Sequence, residues 1–140
     1  MKAVLLTRSG PPEVLQIIER EKPSPGPGEI LIKVQSATVT SGDVNLRRMP
    51  RFLQSVLGLF FGFKPMKTPG VEYAGIVEAV GSDTATFNIG DAVCGTTTGL
   101  VHGANAEYVC VPAKPKTGVI AHIPEGVSFD EAAAAIVGPM

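Results

Sequence analysis

The residues best suited to acid, base or nucleophile chemistry begin with the run Thr40-Ser41-Gly42-Asp43. Ser41 and Asp43, with His102 or His122, supply the residue types of a hydrolytic triad, in which the histidine activates the serine. Such serines often lie in a G-x-S-x-G turn, and the sequence around Ser41 has none. Other roles are therefore favoured, because serine and aspartate are also common helix-capping residues.

Soft metal ligands are equally scarce in the sequence. They are Cys94, His102, Cys110 and His122, and their spacing matches no zinc pattern and includes no C-x-x-C pair. We interpret the cysteines as buried reduced thiols, although one disulfide between them stays open, and the histidines as ordinary side chains. The sequence also contains neither a G-x-G-x-x-G fingerprint nor a P-loop, so it offers no recognisable phosphate cradle.

Length and composition limit the class of protein. The 140 residues carry 12 Lys+Arg and 13 Asp+Glu, a net charge of −1, which excludes a globally basic nucleic-acid binder. Hydrophobic residues make up 44%, enough for one buried core and a single domain. We find no signal-peptide core, and the longest apolar stretch, 52–63, is too short to span a bilayer. We therefore expect a cytoplasmic protein without a membrane span.

Turn signals divide the chain into short apolar runs. The 16 glycines and 12 prolines suit a β-rich fold with many turns. Capping residues predict a helix over 43–49, and the capping box of Ser128 and Glu131 opens another over 131–137. The pattern predicts strands over 2–7, 14–21, 29–39, 71–81, 92–94, 106–111 and 119–123. Such a chain forms a partly open β-barrel or a sandwich.

The segment 44–71 differs from the rest of the chain in charge. It holds five basic residues and no acidic one, which leaves 7 basic against 13 acidic residues elsewhere. Four of the six phenylalanines lie within it, at Phe52, Phe60, Phe61 and Phe63. Three interpretations stay open: a core helix with solvated flanks, a hydrophobic lid over a substrate or cofactor site, and a membrane-surface segment.

Five motifs, taken in order, resemble one known family. They are MKAVLLTRSGPPEVLQI, PSPGPGEILIKVQSATVTSGDVNLR, PGVEYAGIVEAVGSDTATFNIGDAV, AEYVCVPA and IPEGVSFDEAAAA, and they cover nearly all of the chain. The order resembles the N-terminal, GroES-like domain of the medium-chain dehydrogenases/reductases, a superfamily of alcohol dehydrogenases and quinone oxidoreductases. The resemblance implies a mainly β, partly open GroES-like barrel with short helices, and a terminal helix that leads to a Rossmann domain absent from the sequence. Glycines such as Gly70 and Gly75 fall where turns or bulges would bend the barrel.

Two departures from the family pattern concern zinc. In zinc-dependent members a cysteine ligand stands three residues before the aspartate of the segment that here reads T-S-G-D, and a histidine ligand precedes the glutamate of P-G-V-E. These positions are Thr40 and Val71 here, and neither side chain replaces a thiolate or an imidazole. The resemblance therefore implies the zinc-free branch, similar to NADPH quinone oxidoreductases and enone or alkenal reductases. A tyrosine common in that branch is replaced by Leu46, so its role is lost.

The resemblance also implies a reaction and site residues. The complete enzyme would transfer hydride from NADPH or NADH to a quinone or an activated carbon–carbon double bond. Thr40, Ser41 and Asp43 are the expected catalytic residues, and Thr40 and Arg47 the expected cofactor contacts. For Asp43 we expect mainly a role in fixing the loop or capping the short helix.

The Phe-rich segment is the expected wall for a small hydrophobic carbonyl or quinone substrate. That wall would consist of Phe52, Phe60, Phe61 and Phe63. The neighbouring Arg47, Arg48 and Arg51 would either contact a cofactor phosphate or, as we favour, form a solvated basic face.

The same resemblance sets expectations for organisation. We expect a substrate-side domain over 1–124 and, over 125–140, the start of a connection to a nucleotide-binding domain, so that the 140-residue piece is truncated and inactive alone. We expect a homodimer for the complete enzyme. Two rivals stay open: a zinc-type alcohol dehydrogenase domain, and a non-enzymatic GroES-like binding module that docks through 52–63.

Overall fold

Residues 1–61, 67–97 and 103–136 are described by a computed structural model of the 140-residue chain. Within these ranges the strands are β1 (Lys2–Leu6), β2 (Leu15–Glu19), β3 (Glu29–Ala37), β4 (Glu72–Val80), β5 (Ala92–Thr96), β6 (Tyr108–Pro112) and β7 (Ile120–His122). The helices are α1 (Ser41–Arg48), α2 (Arg51–Phe61) and α3 (Phe129–Ala135), with a short 3-10 turn at Pro12–Val14. The mainly β prediction is confirmed, and the strand ends differ from the predicted ones by at most two residues.

The strands form an antiparallel hairpin and a larger open sheet. β1 pairs with β2, and the five-stranded sheet has the order β6-β3-β4-β5-β7. A single bridge between Ala3 and Ala106 joins the hairpin to the chain that leads into β6. Ile30, Tyr73 and Val93 are fully buried on the inner face of the sheet, where the main hydrophobic core lies.

The opposite face of the sheet is covered by α3. Ala132 and Ala133 of that helix pack against Ala74 of β4, because small side chains allow a helix to approach a sheet closely. α3 begins at Phe129, two residues before the predicted start, and Ser128 Oγ accepts a hydrogen bond from the Glu131 amide while Glu131 accepts one from the Ser128 amide. The predicted capping box is therefore confirmed.

A glycine lets β3 and β4 approach each other at an irregular point in their pairing. The register shifts between Val34 and Ser36, opposite Gly75. A Cβ at Gly75 would lie 2.2 Å from the carbonyl oxygen of Lys33, well inside van der Waals contact. Gly75 is thus required by close backbone approach, as expected for a glycine beside a β-bulge.

The helix α2 contradicts one of the interpretations that the sequence left open. Its Gln54 is buried, and its Nε2 donates to the carbonyl oxygens of Leu46 and Met49 at 2.8 and 3.0 Å. Phe52 and Phe60 are exposed instead. The core-helix interpretation is therefore wrong, because a polar side chain anchors α2 to the end of α1. In the described ranges no helix has the length and apolar character needed to cross a bilayer.

Candidate active site

The turn between β3 and α1 is organised by one buried carboxylate. Asp43 Oδ2 accepts hydrogen bonds from the Thr40 amide and the Thr40 hydroxyl, each at 3.0 Å, and the Asp43 amide donates to Thr40 Oγ1 at 3.4 Å. This reciprocal pattern is a capping box, so α1 begins at Ser41, two residues before the predicted start. The expected capping role of Asp43 is confirmed.

The second oxygen of Asp43 reaches a distant part of the chain. Asp43 Oδ1 accepts a hydrogen bond from the Gly70 amide at 3.0 Å, and the carboxylate is only 4% exposed. An anion with three N–H and O–H donors is well satisfied even without water. Asp43 therefore fixes the β3–α1 turn against the segment that enters β4.

Gly70 fits this position for two physical reasons. Its φ is +96°, which L side chains rarely adopt, and a Cβ there would lie 2.5 Å from the Asn105 amide nitrogen. Thr97 Oγ1 donates to the Gly70 carbonyl oxygen at 3.1 Å, so the peptide is held from the other side as well. The sequence predicted a turn or bulge at Gly70. It did not predict that Asn105 and Thr97 lie against Gly70, because both contacts join residues far apart in the sequence.

A small pocket of about 70 Å³ opens beside this cluster. Apolar side chains line most of it, and Asp43, Arg47 and Asn105 supply its polar edge. The apolar lining consists of Leu15, Val39, Val44 and Pro69. Ligand pockets for drug-sized molecules are about 300 Å³ or more, so this one fits only one end of a substrate.

Arg47 corrects the expectation of a solvated basic face. It is 7% exposed and its Nη1 donates to the carbonyl oxygen of Gly10. Arg47 follows Asp43 by one helical turn, so both side chains lie on the buried face of α1. Arg48 and Arg51 are exposed as expected, although the Arg51 guanidinium also donates to Leu6 O at 3.2 Å. The contact of Arg47 with a cofactor stays a prediction.

The two hydroxyls at the start of α1 differ in the hydrogen bonds that they can still make. A hydroxyl has one proton and two lone pairs, and Thr40 gives its proton to Asp43 and one lone pair to the Asp43 amide. One lone pair is left, which suits a hydroxyl donor rather than a carbonyl oxygen. Ser41 is exposed and makes no side-chain hydrogen bond to the described residues. Ser41 is thus the hydroxyl with a proton to donate.

The predicted aromatic wall is only partly described. Phe52 and Phe60 are exposed on α2 and do not line the pocket. The Phe61 side chain and all of Phe63 lie outside the described part of the chain. A substrate contact for these four phenylalanines therefore stays a prediction.

The positions that hold zinc in the zinc-dependent relatives carry other chemistry here. Thr40 caps α1, and the Val71 carbonyl accepts from the Thr97 amide at 2.6 Å. Burial raises the pKa of Cys94, and burial and then Glu29 raise that of Cys110 to about 11, so both thiols are neutral near pH 7. Among the described residues no three histidine, cysteine or acidic side chains group as metal ligands.

The pocket beside Asp43 does not match a dinucleotide. The pocket is smaller than a nicotinamide nucleotide requires, and its one cationic side chain, Arg47, is bonded to Gly10. The sequence has no glycine-rich phosphate fingerprint either. These residues do not fit the whole cofactor, and we assign no chemical step to it through them.

Comparison with known proteins identifies the class. The alcohol dehydrogenase GroES-like domain matches residues 26–125, so the chain belongs to that family, the N-terminal domain of medium-chain dehydrogenases/reductases. It is 34% identical to a probable quinone oxidoreductase of Schizosaccharomyces pombe over 135 residues, 96% of this chain and 36% of the relative.

Solved structures agree with this assignment. The quinone oxidoreductase of Coxiella burnetii superposes with a TM-score of 0.79 at 33% identity, over 96% of this chain and 40% of that protein. The Escherichia coli quinone oxidoreductase, solved with NADPH, gives a TM-score of 0.77 at 27% identity, over 96% and 37%. The chain thus spans 36–40% of the lengths of these three proteins. The predicted family and GroES-like fold are confirmed.

Proposed function

We propose that this chain is the substrate-side domain of an NAD(P)H-dependent oxidoreductase that reduces a quinone, an enone or an alkenal without zinc. Family membership and the names of the similar proteins, quinone oxidoreductases among them, support the reaction class. Thr40 and Val71, at positions where zinc-dependent members carry ligands, support zinc independence. The single observation that carries the site assignment is that Ser41, next to Thr40 at the start of α1, is exposed and makes no side-chain hydrogen bond to the described residues, so that its hydroxyl has a proton to donate.

In this proposal the residues of the chain orient the acceptor and exclude water. Ser41 donates a hydrogen bond to the acceptor carbonyl, and Thr40 accepts one from a hydroxyl of the cofactor ribose. Asp43 is a positioning residue, because it holds Thr40 and Gly70 while its own oxygens are engaged. Fixing these groups before the acceptor binds reduces the entropy lost on reaching the reactive arrangement.

The nicotinamide cofactor supplies the hydride when bound, and apart from the proposed contact with Thr40 we place its binding site outside this chain. We propose the division into a substrate-side domain over 1–124 and, over 125–140, the start of a connection to a nucleotide-binding domain. The capping box at Ser128 supports it, since a helix begins there directly after the last strand. The 140-residue chain alone should then neither bind nor oxidise NADPH, and saturable NADPH binding to it would contradict the division.

The reaction is tested with the native protein that carries this chain. NADPH and NADH oxidation are followed with a benzoquinone, an enone and a primary alcohol, before and after treatment with a chelator. We expect reduction of the quinone or the enone, unaffected by the chelator. Inactivation by the chelator together with bound stoichiometric zinc, or activity on alcohols alone, would contradict the proposal.

Variants of the two hydroxyls separate their roles. Ser41→Ala should raise KM for the acceptor about tenfold through loss of one hydrogen bond, with little change in the unfolding midpoint. Thr40→Ala should lower both turnover and stability, because the cap is lost. Ser24→Ala, at an exposed loop serine, is the matched control. An unchanged KM in Ser41→Ala would remove Ser41 from the site.

A further inference from the structure

Three large apolar side chains of the helix α2 face outward. Phe52, Leu59 and Phe60 are 80%, 84% and 78% exposed, whereas Gln54 is 1% exposed. Phe52 and Leu59 are seven residues apart, or two helical turns, so they lie on one face. In an ordinary surface helix the apolar face meets the core. In α2 these three side chains meet water instead, and a group of large exposed apolar side chains of this kind marks an interaction surface.

Basic groups surround one end of this helix. Arg48 precedes α2 by three residues and is exposed, and Arg51 is the first residue of the helix. Lys67 comes close to the same end, because its carbonyl accepts from the Leu6 amide at 2.7 Å while Arg51 donates to the Leu6 carbonyl. No acidic residue occurs in the sequence from 44 to 71. The segment of the chain that contains α2 therefore carries basic residues, among them the exposed Arg48 and Lys67, and no acidic one.

We propose that this face of α2 docks on the surface of an anionic lipid bilayer. Exposed Phe and Leu on one face of a helix, with Lys and Arg beside them, are the features of helices that lie in the headgroup region. Basic side chains near such a surface are attracted to acidic phospholipids, each by a factor of about five in partition. The inference goes beyond the proposed function and does not depend on it.

The charge pattern disfavours a second copy of the chain as the occupant. Symmetric pairing through α2 would bring Arg48 and Lys67 of one copy toward those of the other, and the sequence from 44 to 71 supplies no acidic residue to face them. A bilayer that contains acidic lipid supplies both the apolar environment and the opposite charge.

A tryptophan reporter tests the docking directly. The sequence contains no tryptophan, so Phe60→Trp introduces a single emitter on the outward face. Vesicles of phosphatidylglycerol and phosphatidylcholine should shift its emission to the blue, and a brominated lipid should quench it. Ile89→Trp is the matched control, because Ile89 is also exposed but lies in the turn before β5. An equal response of the two reporters, or none from Trp at position 60, would overturn the proposal.

Cosedimentation with vesicles measures the two contributions separately. Phe52→Ser with Phe60→Ser should lower partition into anionic vesicles at least tenfold, whereas Ile17→Ser with Ile89→Ser, also at exposed positions, should not. Lys67→Gln should lower it about fivefold. Salt should weaken binding, and vesicles of phosphatidylcholine alone should bind less.

Three results would contradict the bilayer as occupant. The first is equal binding to both kinds of vesicle. The second is unchanged binding by the double phenylalanine variant. The third is self-association of the wild type in sedimentation equilibrium that the same variant abolishes, which would assign this face to a second copy. Because Phe52 and Phe60 are exposed, the substitutions should leave the fold intact, which a circular dichroism spectrum of each variant verifies.

Discussion

Replacement of Asp43 by alanine is the sharpest test of the proposed organisation of the site. The carboxylate accepts hydrogen bonds from the Thr40 amide, the Thr40 hydroxyl and the Gly70 amide. Asp43→Ala removes all three acceptor contacts at once. The largest loss in the free energy of unfolding should come from the Gly70 amide, because its hydrogen bond to Asp43 is buried and the substitution leaves this donor without a partner.

The expected loss can be built from two parts. An unsatisfied buried donor costs about 2 kcal/mol, and loss of the Asp43 half of the capping box, which leaves the Thr40 amide without its acceptor, costs about 1 kcal/mol. The free energy of unfolding should therefore fall by about 3 kcal/mol, and the melting temperature of a chain of this size by about 10 °C. Asp43→Asn should lose about 2 kcal/mol, because its amide oxygen still serves Gly70 while its NH₂ group faces the Thr40 donors.

Urea and thermal unfolding, followed by circular dichroism, measure these losses. Asp130→Ala is the matched control, since Asp130 lies in the first turn of α3 and is exposed, so that its loss should be below about 1 kcal/mol. A fall for Asp43→Ala no larger than that of the control would refute the reasoning. It would mean that water replaces the carboxylate at the Gly70 amide.

Three further predictions address other parts of the barrel. The Tyr73 hydroxyl is fully buried without a partner among the described residues, so Tyr73→Phe should stabilise the protein by about 1 kcal/mol in urea unfolding. Gly75→Ala should destabilise it by about 2 kcal/mol, because the new Cβ overlaps a β3 carbonyl. The Asn88 amide and then His122 hold the pKa of Asp91 below its ordinary 3.8, so Asp91 adds stability above that pH and loses it as the pH falls through the lowered pKa. Asp91→Asn should therefore flatten the loss of stability in acid, as measured by unfolding midpoints above and below pH 3.8.

Each of these has a contrary result. A less stable Tyr73→Phe would show that a water molecule satisfies the hydroxyl. Wild-type stability in Gly75→Ala would mean that β3 moves at no cost. If Asp91→Asn loses stability in acid as steeply as the wild type, the loss of stability at low pH comes from other carboxylates.

Local patterns predicted the elements well. The capping box of Ser128 and Glu131 joins residues three apart, so it is visible in the sequence, whereas at α1 a capping role was expected for Asp43 without its partner Thr40. Ile30 and Ile32 alternate with Leu31 and Lys33, a period of two that indicates a half-buried strand, and β3 is such a strand with both isoleucines in the core. The resemblance to the family placed Thr40, Ser41 and Asp43 at one turn, as the structure has them.

The orientation of α1 and α2 was harder to predict. Arg47 was expected to be solvated, but α1 turns it inward on the same face as Asp43. There its guanidinium donates a hydrogen bond to the Gly10 carbonyl oxygen. For the segment that forms α2, the sequence left open a core helix, a hydrophobic lid and a membrane-surface segment, and it did not decide which side chains face the protein. Gln54 fixed the orientation of α2, because its side-chain amide donates hydrogen bonds to the carbonyl oxygens of Leu46 and Met49 at the end of α1.

The sequence by itself determined the strands, the family and the absence of the zinc ligands at Thr40 and Val71, because these depend on residue identity and short spacings. Only the tertiary structure decided that Asp43 holds the Gly70 amide, 27 residues away. The same holds for the outward face of α2. The physical reason is that such contacts form only when the packing of sheet and helices brings distant donors and acceptors together, and no local pattern encodes that distance.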